Sequence, residues 1–313
     1  MARQSQGYDT LIAIAKEDTF GVAPADAKFG TFGLITSFEP EENKNHEVIR
    51  GLGSRKAQMI KALQFEVSSS ASMYLQNPKV IYHALGKATK SGSAGAYIHT
   101  ITPMGRCEEL PTSTWQRNVC AGGAPYVQNY VGTKIDTLTI SGSAGEAVEV
   151  EAEMIHKTIL DGTALASAYP VDLSEIMTFA EGEITINGVK TANVTEFELE
   201  IANNLEALYA IAKGNSASLI NEGVLDITGS FTFAFTDKTQ VDLFKAGTPF
   251  NVKLRFDDPI VPNNYIEINV TAGKYDTNAI NTSSDEGIEQ ELEAIFTDIS
   301  VTAGSATIAD LTV

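Results

Sequence analysis

The 313-residue sequence is poor in the side chains that usually mark chemistry: it has two cysteines, one tryptophan and four histidines. Cys107 and Cys120 are too few for a disulfide framework, and their spacing matches no zinc or redox pattern, so they are expected to be buried free thiols. Basic residues are scarce as well. There are 22 against 40 acidic ones, for a net charge of −18, and a chain so charged repels phosphate, which excludes a tight grip on nucleic acid or an anionic membrane. No apolar run approaches the roughly 18 residues of a membrane span. Leu11 to Ala15 is too short for a signal-peptide core, so the expectation is a soluble protein made in the cytoplasm. The sequons at Asn193, Asn269 and Asn281 then carry no weight. What the chain does have is 43% apolar residues, with glycine and proline spread along it. That excludes disorder and collagen-like repetition, and the length suits about two domains.

The dominant pattern is alternation with period two between Gly, Asn and Ser clusters, which predicts a mainly β protein of antiparallel sheets with one solvated face. In Leu63 to Leu75, Phe65, Val67, Ala71, Met73 and Leu75 share a face opposite Gln64, Glu66, Ser68 and Ser70. A helix is predicted next. Asn77 caps it, Pro78 suits its first turn, Val80, Ile81, Ala84 and Leu85 form its apolar stripe, and Gly86 closes it. The same unit returns about 160 residues later: Leu225, Ile227, Phe231, Phe233 and Phe235 alternate in one strand, Asp237 stands where Asn77 stood, and Gly247 ends a helix containing Val241 and Phe244. A second echo lies at an offset of 140, where Val148 to Met154 and Ile288 to Ala294 each carry three glutamates on one face. The sequence therefore reads as an internal duplication of two like β domains, residues 1–165 and 166–313. The joint is expected within Asp161 to Pro170, and the surplus of the first copy between Ser91 and Tyr130. A period this long excludes a solenoid.

Before each repeated strand lies a segment without strong periodicity, Glu41 to Lys61 and Asn203 to Glu222. Structureless loops of about twenty residues are unusual in compact domains and tend to be functional. Val48, Leu52, Leu208, Tyr209 and Ile211 are ill suited to permanent exposure, so both loops are expected to fold onto something. Arg50, Arg55, Lys56 and Lys61 of the first concentrate the scarce basic charge and suit an acidic neighbouring subunit.

No catalytic, cofactor or metal constellation emerges. His46, His83, His99 and His156 fall in a loop, a helix and two strand-like contexts with no close pairing. Gly86-Lys87 lacks the glycine spacing of a phosphate loop, and Ser141 to Gly145 does not make a nucleophile elbow. Glu149, Glu151 and Glu153, like Glu289, Glu291 and Glu293, stand about 6.6 Å apart along one face. A single flat stripe does not converge on calcium. It is either a solvated face or, repeated around a ring, the acidic wall of a channel that repels a passing polyanion.

Glu17-Asp-Thr-Phe-Gly21, Leu110-Pro-Thr-Ser-Thr-Trp115 and Tyr130 to Ile140 leading into the Val148 strand, taken in order with the matched loops and the strand-then-helix unit, resemble the tail tube proteins of tailed phages and related viruses. The resemblance spans most of the chain. It implies two similar β-sandwich or barrel domains, each with one flanking α-helix and a long hairpin loop, assembled into stacked rings that conduct DNA during ejection. On this reading the six stripe glutamates line the lumen, and Val48, Arg50, Leu52, Arg55, Lys56, Leu208, Tyr209 and Ile211 mediate contacts between rings. No cofactor, membrane or enzymatic activity is implied. Duplication suggests three chains per ring with pseudo-six-fold symmetry; six chains with the second domain outside is the alternative. The implied partners are further copies of the chain, a tail-tip or baseplate initiator, a tape-measure protein, a terminator and passing double-stranded DNA. The implied location is the virion tail, after assembly in the host cytoplasm. A two-domain immunoglobulin-like adhesin or carbohydrate-binding protein would share the strands, but it calls for secretion and an aromatic platform, and Trp115 is the lone tryptophan.

Overall fold

The computed structural model describes residues 4–24, 29–162, 164–211, 214–282 and 287–311. Its strands are β1 (Thr10–Lys16), β2 (Ile35–Asn43), β3 (His46–Ile49), β4 (Met59–Ala62), β5 (Glu66–Tyr74), β6 (Gly86–Ser93), β7 (Ala96–Pro103), β8 (Ser113–Ala121), β9 (Ala124–Ser143), β10 (Glu149–His156), β11 (Thr158–Asp161), β12 (Gly182–Ile186), β13 (Val189–Lys190), β14 (Val194–Ala202), β15 (Glu206–Leu208), β16 (Leu219–Asn221), β17 (Asp226–Ala234), β18 (Phe250–Asp257), β19 (Tyr265–Asn281), β20 (Glu289–Phe296) and β21 (Asp298–Ser305). Two α-helices accompany them, α1 (Lys79–Leu85) and α2 (Thr239–Ala246). The protein is mainly β, as its alternation predicts.

Both helices form for the reasons their sequences give. The Asn77 side chain accepts the Lys79 N–H at 3.0 Å and Asp237 accepts that of Thr239 at 2.7 Å, each satisfying an orphan donor of the first turn. Gly86 and Gly247 end the helices in left-handed geometry, at φ 95° and 58°.

Eight strands form one antiparallel sheet in the order β2–β5–β10–β9–β14–β17–β20–β19, using the C-terminal parts of the long strands β9 and β19. The N-terminal parts of β9 and β19 bend away into a second layer. There β1, β8, β9 and β11 form one sheet, and β13, β12, β18, β19 and β21 form another that β7 and β6 extend. The bends fall at Gly132 (φ 66°) and Ala272 (φ 53°), 140 positions apart. The pairing scheme thus occurs twice, with β12, β14, β17, α2, β18, β19, β20 and β21 taking the places of β1, β2, β5, α1, β8, β9, β10 and β11.

The β6–β7 hairpin has no second counterpart, so the surplus of the first half runs from Gly86 to the start of β8. It begins earlier than the expected Ser91, because β6 starts at the glycine that ends α1 and exposes nearly all its side chains. The two supposed loops are also corrected. Each is a β-hairpin, His46 opposite Ala62 in β3–β4 and Glu206 opposite Asn221 in β15–β16. Residues 212 and 213 of the second, and 163 in the segment joining the halves, lie outside the described residues.

The core fills the space between the layers. Phe38 stacks on Trp115 with ring centres 5.5 Å apart in the first half, and Phe250 and Phe296 meet edge-on at 5.7 Å in the second. Trp115, Tyr130, Phe231, Phe233, Phe250 and Phe256 are essentially inaccessible, and each such side chain contributes on the order of 1.5–3 kcal/mol by leaving water. The expected burial of the cysteines does not hold: Cys107 is exposed in a turn and Cys120 is half-buried near the end of β8, both free. Cys107 lies outside any strand, and Cys120 lies one residue from the exposed end of β8, where both rows of the strand lose their cover, so position along the element overrides the burial preference of the residue type.

Candidate functional site

The eight-stranded sheet has two unlike faces. One packs into the core through Ala71, Met73, Val150, Ala152, Leu138, Ile140, Leu199, Ile201, Phe231 and Leu292. The opposite face follows from the ladder: one row runs Glu149, Ser141, Glu198, Ser230, Glu293, Thr277, and another, beyond the row of Glu151, runs Glu39, Ser70, Glu153, Thr137. Residues directly opposite one another in a ladder share a face, so Glu149, Glu151, Glu153, Glu289, Glu291 and Glu293 all lie on this one surface and all are exposed. Glu39, Glu41, Glu196, Glu198 and Glu200 join them. The Glu196-Phe-Glu-Leu-Glu200 run carries the same stripe and was missed in the sequence, although its spacing is identical. Among the described residues none of these eleven glutamates forms a salt bridge, and serines and threonines fill the positions between them. Lys274 stands only at the rim, beside Ile295.

Among the described residues the sheet ends in two edges without a further strand, β2 on one side and the C-terminal part of β19 on the other. Each presents a row of free N–H and C=O groups.

The two hairpins differ in surroundings. β15–β16 lies across the first half of the same chain: Asn203 Nδ2 donates to the carbonyls of Ala84 and Ile135 at 3.0 Å, the Phe65 N–H donates to the Asn215 carbonyl at 2.8 Å, and Ala217 and Ile220 are buried. Lys134 Nζ donates to the Ile220 carbonyl at 2.9 Å and pairs with Glu222 at 2.6 Å. Burial opposes ionisation of Glu222, but the hydrogen bonds from Lys134 and the Leu110 N–H outweigh it and hold the carboxyl below its ordinary range. By contrast β3–β4 projects from the protein. Val48, Ile49, Leu52, Met59 and Ile60 are exposed, Leu52 completely.

Of the residues expected at contacts, Val48 lies in β3, and Arg50, Leu52, Arg55 and Lys56 lie in the turn between β3 and β4. Leu208 ends β15, with Tyr209 half-buried and Ile211 fully exposed beyond it. The structure brings these residues into two separate arms rather than one patch.

The histidines are scattered. His46 is exposed in β3, not in a loop; His83 is buried in α1 against Phe32; His99 Nε2 lies 2.8 Å from the Ile308 carbonyl; His156 is enclosed at the end of β10. Among the described residues no three His, Cys, Asp or Glu side chains converge as metal ligands.

Comparison with curated proteins gives no match. The family of phage tail tube proteins matches residues 7–296, a span that takes in every strand from β1 to β20. A two-layered β protein with one sheet apolar within and acidic without suits a virion tail component built by self-assembly, and the chain belongs to the phage tail tube protein family.

Proposed function

We propose that three copies of the chain close into a ring in which their eight-stranded sheets join edge to edge as one barrel, acidic face inward, and that rings stack into a tube through which the genome is ejected. Residues 1–165 and 166–313 act as two tail-tube-like domains, giving six quasi-equivalent units per ring. The carrying observation is the continuous sheet to which each half contributes four adjacent strands, apolar on one face and lined with glutamate on the other. This disfavours six chains with the second half outside, because both halves occupy the same layer.

Dimensions support the count. Twenty-four strands spaced about 4.8 Å apart and tilted by about 40° close a cylinder roughly 48 Å across at the backbone. Allowing for side chains, that admits a double helix; twice as many strands would leave a needlessly wide bore. The acidic wall repels the passing polyanion and keeps it from sticking. The β3–β4 arm, with Val48, Arg50, Leu52, Arg55 and Lys56, and the outer end of the second arm, with Leu208, Tyr209 and Ile211, reach toward neighbouring copies. Stacking is heterologous and does not close, so it propagates. Assembly takes place in the host cytoplasm on a tail-tip or baseplate initiator, with a tape-measure protein setting length and a terminator ending growth.

Negative-stain microscopy of the purified protein, combined with mass measurement on isolated rings, tests this. Rings of about 100 kDa, three times the 33.5 kDa chain, are expected. Rings of six chains would reject the trimer, and a protein that stays monomeric under all conditions would reject the assembly.

A further inference from the structure

Within the chain, β9 of the first half meets β14 of the second. Glu198 stands opposite Ser141, Leu199 opposite Ile140, Glu200 opposite Thr139, Ile201 opposite Leu138 and Ala202 opposite Thr137. The ladder ends on Asp136, which bulges out of the β9–β10 register: its carbonyl accepts the Asn203 N–H and its carboxylate accepts the Leu205 N–H, both at 2.7 Å. The chain then turns into the β15–β16 arm through left-handed Asn204 (φ 50°).

The two free edges repeat both partners of this joint residue by residue. β19 has its bulge at Asp276, 140 positions after Asp136, opposite the same point of its neighbour. β2 has its bulge at Thr36, where β14 has Thr195. Thr36 Oγ1 donates to the Ser72 carbonyl at 3.0 Å as Thr195 Oγ1 donates to that of Thr232 at 3.2 Å. β2 leaves for its own arm through left-handed Asn45 (φ 42°), where β14 uses Asn204. Ile280, the counterpart of fully buried Ile140, is 41% exposed.

We propose that the β9–β14 joint is the template for the joint between copies: β19 of one chain adds to β2 of the next with Glu39 opposite Asn281, Pro40 opposite Ile280, Glu41 opposite Ala279, Glu42 opposite Asn278 and Asn43 opposite Thr277. Asp276 then receives the His46 N–H on its carboxylate and the Lys44 N–H on its carbonyl. The β3–β4 arm lies over the neighbour's second half as β15–β16 lies over the first. Lys274 takes the position of Lys134; it reaches the Ile60 carbonyl but finds Ala62 where Lys134 finds Glu222, so this joint lacks the ion pair. Pro40 also removes one ladder donor from the edge that β2 turns away from β5. The joint between copies is therefore a weaker version of the internal one.

This register rests on the ring reading above, and two measurements on assembled protein test it. In a Cys107→Ser, Cys120→Ser background, Glu41→Cys with Ala279→Cys places two thiols in a close, non-hydrogen-bonded cross-strand pair suited to a disulfide. Oxidation of rings is expected to link chains covalently through this pair, and not through the slipped pair Glu39→Cys with Ala279→Cys. On the unaltered protein, the amides of Glu42, Lys44, His46, Asn278 and Ile280, which point across the joint in this register, are expected to exchange at least about tenfold more slowly in rings than in protomers. Rings that link through the slipped pair, or through Glu41→Cys alone, overturn the register. So do rings whose edge amides exchange as fast as in protomers. Absence of rings from the unaltered protein overturns the assembly reading itself.

Discussion

At the level of single residues, the two halves solve one packing problem in two ways. His156 ends β10 with Ser69 Oγ 2.7 Å from its Nε2 and Thr133 Oγ1 2.7 Å from its Nδ1. The equivalent place in β20 holds Phe296, and the hydroxyl residues are replaced by Gly229 and Gly273. A Cβ at Gly273 would fall 2.3 Å from the Phe296 ring, so the larger ring and the two glycines depend on each other. Burial drives the His156 pKa down to about 3. Its folded value lies below the unfolded value of about 6.5, so the native state excludes a proton that the unfolded chain takes up. The associated stability is complete above pH 6.5 and is lost toward pH 3 at about 1.4 kcal/mol per pH unit. His156→Phe alone is expected to cost about 1–3 kcal/mol by overpacking. The triple change with Ser69→Gly and Thr133→Gly should restore packing and remove the acid sensitivity, losing about 2.5 kcal/mol less than the parent between pH 6 and 4. Urea titrations at each pH check this, and an unchanged slope would show that His156 is not the titrating group. None of this swap was legible in the sequence, because the three residues lie far apart in the chain and meet only through the ladder.

Individual elements were legible where a local rule fixes them. The strand, cap, helix and glycine stop around Asn77 and Asp237 each follow from contacts within a few residues, and they recur in the structure within a residue of the expected positions except that both strands start three residues later, at Glu66 and Asp226. The arms were not legible as ladders. A strand announces itself by alternation only when one of its faces is buried, and all four residues of β3 are exposed. The arms nevertheless differ in what they stabilise. Replacing residues 45–63 by a short turn removes little buried surface, so the melting temperature is expected to stay within a few degrees while tubes no longer form. Excising residues 204–222 instead removes the buried side chains of Ala217 and Ile220 from the first half and leaves the buried ammonium of Lys134 without Glu222. Stranding a buried charge alone costs about 3–5 kcal/mol. Thermal melts with microscopy separate the two outcomes; tubes from the first deletion would remove the β3–β4 arm from assembly. Pro40 gives an opposite test. Its ring nitrogen leaves a gap in the edge of β2, a familiar guard against premature pairing. Pro40→Leu, which matches Leu199 at the internal joint, is expected to lower the protein concentration at which rings appear, as read by light scattering.

For the molecule as a whole, the internal joint is reinforced by a contact that the proposed joint between copies would lack. The β6–β7 hairpin, present in one half only, pairs β7 with β21 from Ile101–Val301 to Tyr97–Ser305 and so ties the outer sheets of the two halves together. A chain built this way remains a stable pair of units while its outer edges stay open to exchange, a division of labour that two separate subunits could not make. The same geometry fixes the acidic face. Helix α2 and the second layer cover the apolar side of the eight-stranded sheet, so a closed barrel turns the eleven glutamates either wholly inward or wholly outward. The bore of the proposed 24-strand barrel, about 48 Å across at the backbone, would narrow to roughly 35–40 Å once side chains are counted. A small thiol reagent diffuses along such a bore, whereas one carried on a large polymer does not. Glu151→Cys, in a chain lacking Cys107 and Cys120, is therefore expected to react with both reagents as a protomer but only with the small one in long tubes. Lys245→Cys on α2, across the core from the acidic face, serves as the comparison and should keep its reactivity toward the large reagent if α2 faces outward. Equal labelling of Glu151→Cys by the large reagent in protomer and tube would place the glutamates on the outside and deprive the repulsive channel of its wall.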